Sequence, residues 1–194
     1  SGDDNLTLTD VTADTIVATG YNGDLTVTDN ANVDTVTGGN GADAFSNLGA
    51  TGGANAASTF NGGAGNDTMT VDANDSTNRT VTFDGGDGTD ILTTLGAASI
   101  DSLSNVEQIR IGATGTVNID TATGYDDTIE IFELSGGTAT LQFTSAAAGN
   151  TMDLSNLTFA GFTSGTDVLG LIGSTGAETI TGTSVDDTIT GLAG

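Results

Sequence analysis

The stretch TFNGGAGNDTM, residues 59–69, decides how this chain folds. It returns as TFDGGDGTDIL at residues 82–92, with six of eleven positions identical. A third copy of its central part, GGNGADAF, occupies residues 38–45. Each copy reads Gly-Gly-x-Gly-x-Asp, with an apolar residue two places after the Asp. The repetition indicates a turn that the fold needs in the same form at a fixed interval.

The three copies recur with a nearly constant period. The Asp residues that end the turns, Asp43, Asp67 and Asp90, are 24 and 23 residues apart. Phe60 and Phe83, which precede the second and third turns, are also 23 residues apart. The period therefore includes the strand that leads into each turn. Stacked coils of a solenoid have this form, because each repeat adds one coil to a continuous core.

The segments between the turns are predicted to be short strands. Runs such as LTVT, TMTV and RTVTF alternate Thr with apolar residues, which is typical of strands with one buried face. The best candidate for a helical turn is residues 99–108, and no other helix is expected. The predicted fold is all-β, a right-handed parallel β-solenoid of the β-roll or β-helix type. Its interior is predicted to include Phe45, Phe60, Met69, Phe83 and Leu92.

The chain divides into three parts by how clearly it keeps the period. Residues 1–93 are predicted to form the regular solenoid that carries the glycine-rich turns. Residues 94–172 lose the period but remain strand-like, so they are predicted to continue the solenoid irregularly, with a small separate β-domain as the alternative. Residues 173–194 place Glu178 and Asp187 nine residues apart in similar contexts. They are predicted to begin a further block that the sequence cuts short.

The charge balance of the chain excludes whole classes of partner. Its 194 residues include 26 acidic and two basic side chains, for a net charge of -24. Nucleic acids and anionic membrane surfaces are recognised by clustered Lys and Arg, so neither is expected as a partner. No apolar run approaches the ~18 residues of a membrane-spanning helix, so membrane insertion is not expected. A compact chain with this charge repels itself unless cations neutralise it.

The repeated turn offers the oxygen ligands that a hard cation needs. Its glycines leave backbone carbonyl groups unobstructed, and its Asp adds a carboxylate. Ca²⁺ binds about six to eight oxygens of both kinds, which two stacked turns could supply together. Mg²⁺ is less favoured because it resists cages made of protein oxygens alone, and Zn²⁺ is disfavoured because the chain has no His or Cys. The alternative is that the motif only forms tight turns and the Asp residues only add solubility.

Several calcium ions shared between adjacent coils are therefore predicted. The predicted ligands are the carboxylates of Asp43, Asp67 and Asp90 and the carbonyl groups of Gly38, Gly39, Asn40, Gly41, Gly62, Gly63, Ala64, Gly65, Gly85, Gly86, Asp87 and Gly88. Second-rank candidates are Asp34, Asp127 and Asp187.

The three turns resemble the GGxGxDxUx nonapeptide of the RTX (repeats-in-toxin) calcium-binding family. A longer stretch, residues 85–119, is similar to a unit of RTX-type surface-layer proteins of Gram-negative bacteria. In that unit a GGDGTD turn is followed by a Ser-rich connection and a strand that begins near a Glu, as in NVEQIRI here. The resemblance implies a secreted protein that leaves the cell by type I secretion. It also implies self-assembly into a calcium-dependent lattice, so the predicted function is a calcium-binding structural segment of a cell-surface S-layer protein.

Catalysis is not expected from this chain. Without His it can form neither a Ser-His-Asp triad nor an HExxH metal site. Paired acids at 126–127 and 186–187 could in principle act on glycosides. Each pair adjoins an Asp-Thr-Ile motif, which favours calcium binding or solubility instead.

Two other binding roles stay open at this point. A calcium-rigidified spacer of a large adhesin would share the same chemistry but remain a monomer. Ice binding is suggested by repeated Thr-x-Thr, although the unequal spacing of the copies argues against one pair in the same place on every coil. These copies lie at residues 7–9, 26–28, 35–37, 68–70, 80–82, 179–181 and 188–190.

Overall fold

The computed structural model describes residues 4–9, 11, 13–29, 33–47, 57–71, 80–112, 115–120, 129–133, 138–145, 151–163 and 165–193. Every regular element within these residues is a β-strand, as the alternating Thr-rich runs predict. No segment of the described residues forms a helix with the length and apolar character needed to cross a membrane.

The described strands are short, mostly three to six residues. In chain order they are β1 Leu6–Thr9, β2 Thr15–Val17, β3 Leu25–Asp29, β4 Thr35–Thr37, β5 Ala44–Asn47, β6 Ala57–Ala64, β7 Thr68–Val71, β8 Thr80–Asp87, β9 Ile91–Thr94, β10 Ala98–Ile100, β11 Ser102–Ser104, β12 Gln108–Ile111, β13 Gly115–Asp120, β14 Glu130–Glu133, β15 Ala139–Thr144, β16 Thr151–Asp153, β17 Thr158–Ala160, β18 Val168–Ile172, β19 Thr179–Thr181 and β20 Asp187–Thr190.

The strands form four sheets in which every described pair is parallel. Sheet A has the order β1-β3-β5-β7-β9-β12-β14-β17, and sheet B has the order β11-β8-β6-β4-β2. Sheet C is β10-β13-β15-β18-β20, and sheet D is β16-β19. Up to β9 the chain alternates between sheets A and B, so each return to a sheet passes through the other. This topology is compatible with a parallel β-solenoid.

The register of the sheets follows the sequence period where the glycine-rich turns occur. Thr68 pairs with Ile91 in sheet A and Phe60 pairs with Phe83 in sheet B, a step of 23 residues in both sheets. Elsewhere in sheet A the step varies, from 17 residues between β9 and β12 to 28 between β14 and β17. Insertions between strands therefore change the length of the connections without interrupting sheet A.

The interior contains the five large apolar residues that the sequence predicts. Phe45, Phe60, Met69, Phe83 and Leu92 are all buried, with at most 5% of their surface exposed. The rings of Phe60 and Phe83 stack with centroids 5.0 Å apart and planes within 4° of parallel. Because equivalent residues of adjacent strands lie on one another, the apolar core continues from strand to strand along the sheets.

The predicted helical turn at residues 99–108 is wrong. This segment contributes to β10, forms β11 and begins β12, three short strands in three different sheets. Ala98 and Ile100 are buried on either side of a half-buried Ser99, which is the two-residue alternation of a strand. The strand pairing with β13, β8 and β9 overrides the weak local preference for a turn of helix.

Candidate metal centre

The Asp residues of the three turns form one column along sheet A. Asp43, Asp67 and Asp90 each immediately precede a strand, and Glu107 holds the same register position before β12. The three Asp side chains are buried, with at most 1% of their surface exposed. The motif therefore turns its carboxylates toward the interior. They are strung out along a line, and nowhere in the described chain do three acidic side chains gather around one point.

One oxygen of each carboxylate binds the strand before it. Asp67 Oδ1 accepts the amide of Asp43, and Asp90 Oδ1 accepts the amide of Asp67, each at 2.7 Å. Asp43 Oδ1 accepts the amide of Leu25 at 2.8 Å, and Glu107 Oε2 accepts the amide of Asp90 at 2.7 Å. These charge-assisted hydrogen bonds join adjacent strands of sheet A and explain why an acid recurs at this position.

The second oxygens of the three Asp residues have different surroundings. Asp43 Oδ2 accepts the amide of Gly39 at 2.7 Å, so both of its oxygens are bonded. Asp67 Oδ2 and Asp90 Oδ2 are buried and make no hydrogen bond to any described residue. A buried charged oxygen without a partner costs on the order of several kcal/mol. These two atoms therefore need a proton or a cation.

Backbone conformation accounts for the difference between the turns. Gly63 and Gly86, four residues before Asp67 and Asp90, have φ values of 105° and 98°. They pair with each other where β6 and β8 extend into the turn. Gly39, at the equivalent place in the first turn, has no positive φ and donates its amide to the Asp that follows. The left-handed glycines thus withhold the amide that would otherwise satisfy the carboxylate.

Glycine is also required where the chain passes the free carboxylate oxygens. A Cβ on Gly62 would collide with Asp67 Oδ2 and with the carbonyl oxygen of Gly85. A Cβ on Gly85 would collide with Asp90 Oδ2 and with the carbonyl oxygen of Asn105. The missing side chains therefore leave each free carboxylate oxygen close to a carbonyl oxygen of the next strand.

The strand pairing is interrupted at the same two glycines. The register between β6 and β8 runs without a break to Asn61 and Asp84 and resumes at Gly63 and Gly86. Gly62 and Gly85 fall in the gap. Buried backbone groups outside a regular ladder need a partner from elsewhere.

Burial and neighbouring charges disfavour the ionised form of this column. Burial raises the pKa of Asp67 to about 7; the hydrogen bond from the amide of Asp43 opposes this, while the charges of Asp43 and Asp90 raise the pKa further. Burial also raises the pKa of Asp90. The hydrogen bond from the amide of Asp67 lowers this pKa, and the negative charges of Glu107, Asp84 and Asp87 raise it. Without a cation, Asp67 therefore holds a proton for much of the time near neutral pH.

The ligand chemistry of these turns fits a hard cation. Two buried carboxylate oxygens without donors stand close to carbonyl oxygens, and a chain without His or Cys has no imidazole or thiolate ligand. Ca²⁺ takes mixed carboxylate and carbonyl oxygens in variable geometry. The residues that would hold it are Asp67 with the carbonyl group of Gly85, and Asp90 with the carbonyl group of Asn105.

The other predicted carbonyl ligands have mixed roles. The carbonyl of Gly39 accepts the amide of Ala64 at 3.0 Å, and that of Asp87 accepts the amide of Gly65 at 2.8 Å. Asn40 is exposed and donates its side-chain amide to Asn22 at 2.7 Å. A Cβ on Gly38 would collide with Asp43 Oδ2 and the carbonyl oxygen of Gly62, as a Cβ on Gly62 would with their counterparts in the next turn. Three further turn glycines lie against the backbone of the strand before, which a Cβ would meet; they are Gly41 against Gly23, Gly65 against Gly41, and Gly88 against Gly65.

Two of the three second-rank candidates, Asp34 and Asp187, do not join the Asp column. Asp34 precedes β4, at the far end of that strand from the turn at residues 38–43, and its buried Oδ1 has no partner among the described residues. Asp187 begins β20 and accepts hydrogen bonds from the amide and hydroxyl of Thr183 at 2.9 and 2.8 Å. Asp127 lies outside the described residues.

Sequence reasoning missed several side chains that join strands in the same way. Glu107 lies in the NVEQIRI segment immediately before β12, where the available signal is a lone acid after a Ser-rich connection. Asp101 Oδ2 accepts the amide of Val81 at 2.8 Å, without any glycine motif to mark it. Asp167 is buried and accepts the amides of Ala139 and Thr163 at 2.9 and 2.6 Å.

A second column of hydrogen bonds runs in the opposite direction, one residue before the Asp column. Asn5 Oδ1 accepts the amide of Asp24 at 3.1 Å, and Asp24 Oδ1 accepts the amide of Ala42 at 2.9 Å. Asn66 Oδ1 accepts the amide of Thr89 at 2.9 Å. Here each side chain binds the strand that follows it, so adjacent strands are joined from both sides at this edge.

Comparison with known proteins returned no match: no family model, no curated protein and no solved structure is similar to this chain. The RTX resemblance therefore stays a prediction that rests on the residues of the three turns.

Proposed function

We propose that this chain is a calcium-binding structural segment of a secreted cell-surface protein, folded as a right-handed parallel β-solenoid. The observation that carries the proposal is the pair of buried carboxylate oxygens, Asp67 Oδ2 and Asp90 Oδ2, that lack a hydrogen-bond donor among the described residues. Both stand beside carbonyl oxygens at positions where only glycine fits.

The whole-molecule charge supports a cation at these positions. The chain has 26 acidic side chains and only two basic ones, and the buried Asp column concentrates part of the negative charge along one line. Protonation could neutralise Asp67 but would leave the remaining acids in mutual repulsion. Calcium ions between adjacent strands would neutralise the column and replace the missing donors together. Part of the calcium-binding free energy would then appear as folding free energy.

Assembly at a cell surface is proposed on the resemblance of residues 85–119 to RTX-type surface-layer proteins. The parallel sheets, the largest with eight strands, support a structural role, since stacked repeats generally form extended binding surfaces. Type I secretion and a calcium-dependent lattice of identical copies belong to the same proposal. The adhesin spacer would use the same calcium chemistry without self-association.

Two measurements on the purified chain test this proposal. Equilibrium dialysis with Ca²⁺ is expected to show binding of more than one ion, with Mg²⁺ at the same concentration as the matched control. Light scattering is expected to show association in Ca²⁺ that reverses on chelation. Absence of calcium binding contradicts the whole proposal. Binding without association contradicts only the lattice and supports the spacer.

A further inference from the structure

The outward side chains of five consecutive strands of sheet A form two columns. Within β3, β5, β7 and β9 the residues alternate between the interior and the surface, as Val27, buried between Thr26 and Thr28, shows. In β1, at the end of the sheet, Thr7 and Thr9 are exposed and pair in register with Thr26 and Thr28. The strand pairing places equivalent outward residues directly beside one another. One column is Thr7, Thr26, Ala44, Thr68 and Ile91, and the other is Thr9, Thr28, Ser46, Thr70 and Thr93.

Unequal spacing of the Thr-x-Thr copies in the sequence does not prevent an ordered array, because the strand register aligns the copies. The steps between these strands are 19, 18, 24 and 23 residues, yet every step brings the same two outward positions into line. The excess residues lie in the connections, so the Thr-x-Thr copies at 7–9, 26–28 and 68–70 occupy one surface. We call the ten residues of the two columns the hydroxyl surface.

Eight of the ten residues in the hydroxyl surface carry a hydroxyl group, and none is charged. The array ends at the next strands, where Arg110 in β12 and Glu130 in β14 bring charge into the same columns. A molecule with a net charge of -24 thus keeps one outward surface neutral over five strands.

Sheet B shows that this neutrality is not shared by every surface of the fold. Its outward residues also include a hydroxyl column, formed by Thr15, Thr35, Thr59, Thr82 and Ser102. The column beside it contains Asn61 and Asp84, and Asp84 accepts hydrogen bonds from Asn61 and Asn105. Sheet B therefore carries the same hydroxyl residues beside the charged carboxylate of Asp84, so substitutions on sheet B are a matched control.

We propose that the hydroxyl surface binds ice. Parallel pairing repeats its hydroxyl groups about every 4.8 Å across the strands and about every 6.6 Å along them. Hydroxyl groups held at fixed intervals anchor water molecules at those intervals, while the Thr methyl groups limit other water orientations. An uncharged, repeating ligand matches an uncharged, repeating surface. A polysaccharide is the less suitable ligand, because the ten residues include no aromatic ring on which a sugar could stack.

The test is incorporation of the full chain into slowly growing ice from a calcium-containing buffer. The parent is expected to enter the ice and to shape ice crystals. Thr28→Lys and Thr70→Lys, which place a charge in the hydroxyl surface, are each expected to lose most of this incorporation. Thr35→Lys and Thr82→Lys on sheet B are the matched controls and are expected to behave like the parent. Circular dichroism of each variant separates loss of binding from loss of fold, and two positions per sheet keep the comparison decidable.

Two outcomes would overturn the assignment. Exclusion of the folded parent from ice is one. Equal loss of incorporation in the sheet A and sheet B variants is the other, since it would mean that the charge acts without regard to position. In the first case, adsorption of the excluded parent to crystalline cellulose would identify a polysaccharide as the ligand instead. The test is independent of the proposed lattice, because ice incorporation is measured on the isolated chain.

Discussion

Among the described residues, two kinds of turn end in an acid, and they differ in the hydrogen bonds that the carboxylate accepts. In the closed turns, which end at Asp43, Asp167, Glu178 and Asp187, the carboxylate accepts the amide of the residue four places before it. In the open turns, which end at Asp67 and Asp90, that residue is a left-handed glycine and the second carboxylate oxygen has no donor among the described residues. In a closed turn a backbone amide of the same turn satisfies the carboxylate, whereas in an open turn the second carboxylate oxygen needs a proton or a cation.

The comparison shows that the Gly-Gly-x-Gly-x-Asp motif alone does not decide which turn forms. All three copies carry it, but only the second and third are open. Each open turn lies against another copy in the strand before it: a Cβ on Gly63 would meet the carbonyl of Gly39, and one on Gly86 would meet that of Gly63. Gly39 instead faces the backbone of Tyr21, outside any copy. Stacking of one copy on another therefore accompanies the open form.

The largest effect is expected from removing calcium. Without the ion, the open turns keep unpaired buried carboxylates, so excess chelator should lower the melting temperature and loosen the β-structure. Hydrogen exchange sharpens the comparison. Amides of residues 59–69 and 82–92 are expected to lose protection first, and amides of residues 163–190, around closed turns, are expected to change least. Uniform loss of protection would contradict the distinction between the turns.

A methyl group placed in an open turn is expected to have the next largest effect. Gly62→Ala drives a Cβ into Asp67 Oδ2 and the Gly85 carbonyl, and overpacking against a backbone typically costs about 1–3 kcal/mol or more. Gly191→Ala is the matched control, because nothing lies within 4 Å of its Cβ position. Chemical denaturation in calcium measures both. Equal stability of the two variants would mean that the open turn has room to spare.

Replacing Asp by Asn should have opposite effects in the two kinds of turn. Asp43→Asn would direct a side-chain amide group at the backbone amide of Gly39, leaving two donors face to face, and is expected to destabilise the fold by about 1–3 kcal/mol. Asp67→Asn keeps the Oδ1 acceptor for the amide of Asp43, removes a buried charge and supplies a donor where none exists. It is expected to stabilise the calcium-free protein and to weaken its response to calcium.

Denaturation curves with chelator and with calcium measure both Asn variants. The account is contradicted if Asp67→Asn and Asp43→Asn shift calcium-free stability in the same direction.

A pH dependence of the calcium-free protein is also predicted. The pKa of Asp67 is raised from 3.8 to about 7, so the folded chain binds more protons than the unfolded chain between these values. Its stabilising contribution is complete below the lower value and is lost as the pH rises through about 7. Calcium-free melting temperatures should therefore fall over this range, and Asp67→Asn should flatten the fall. An equally steep fall in that variant would assign the effect to the other acids.

The sequence predicts the all-β fold with parallel strands and the Asp column because both depend on repetition. Phe60, Phe83 and the three Asp residues recur at one period, and parallel pairing converts a period into a column. Residues 94–112 could not be predicted in this way, since β10 and β11 are three residues each and are defined by partners in different sheets.

The sequence predicts only part of the site, for a similar reason. The motif identifies Asp67 and Asp90, but the φ values of Gly63 and Gly86 separate them from Asp43. Those values depend on which backbone the turn lies against, and no local pattern records that contact. Asp101 and Asp167 likewise bind amides of strands that are distant in the chain.

A crystal structure of the chain grown in calcium tests the central claim most directly. The account predicts calcium ions within about 2.3–2.6 Å of Asp67 Oδ2 and Asp90 Oδ2, with backbone carbonyl oxygens completing the coordination. A structure in which both oxygens carry protons and hydrogen-bond to the backbone, with no ion at either turn, would contradict it.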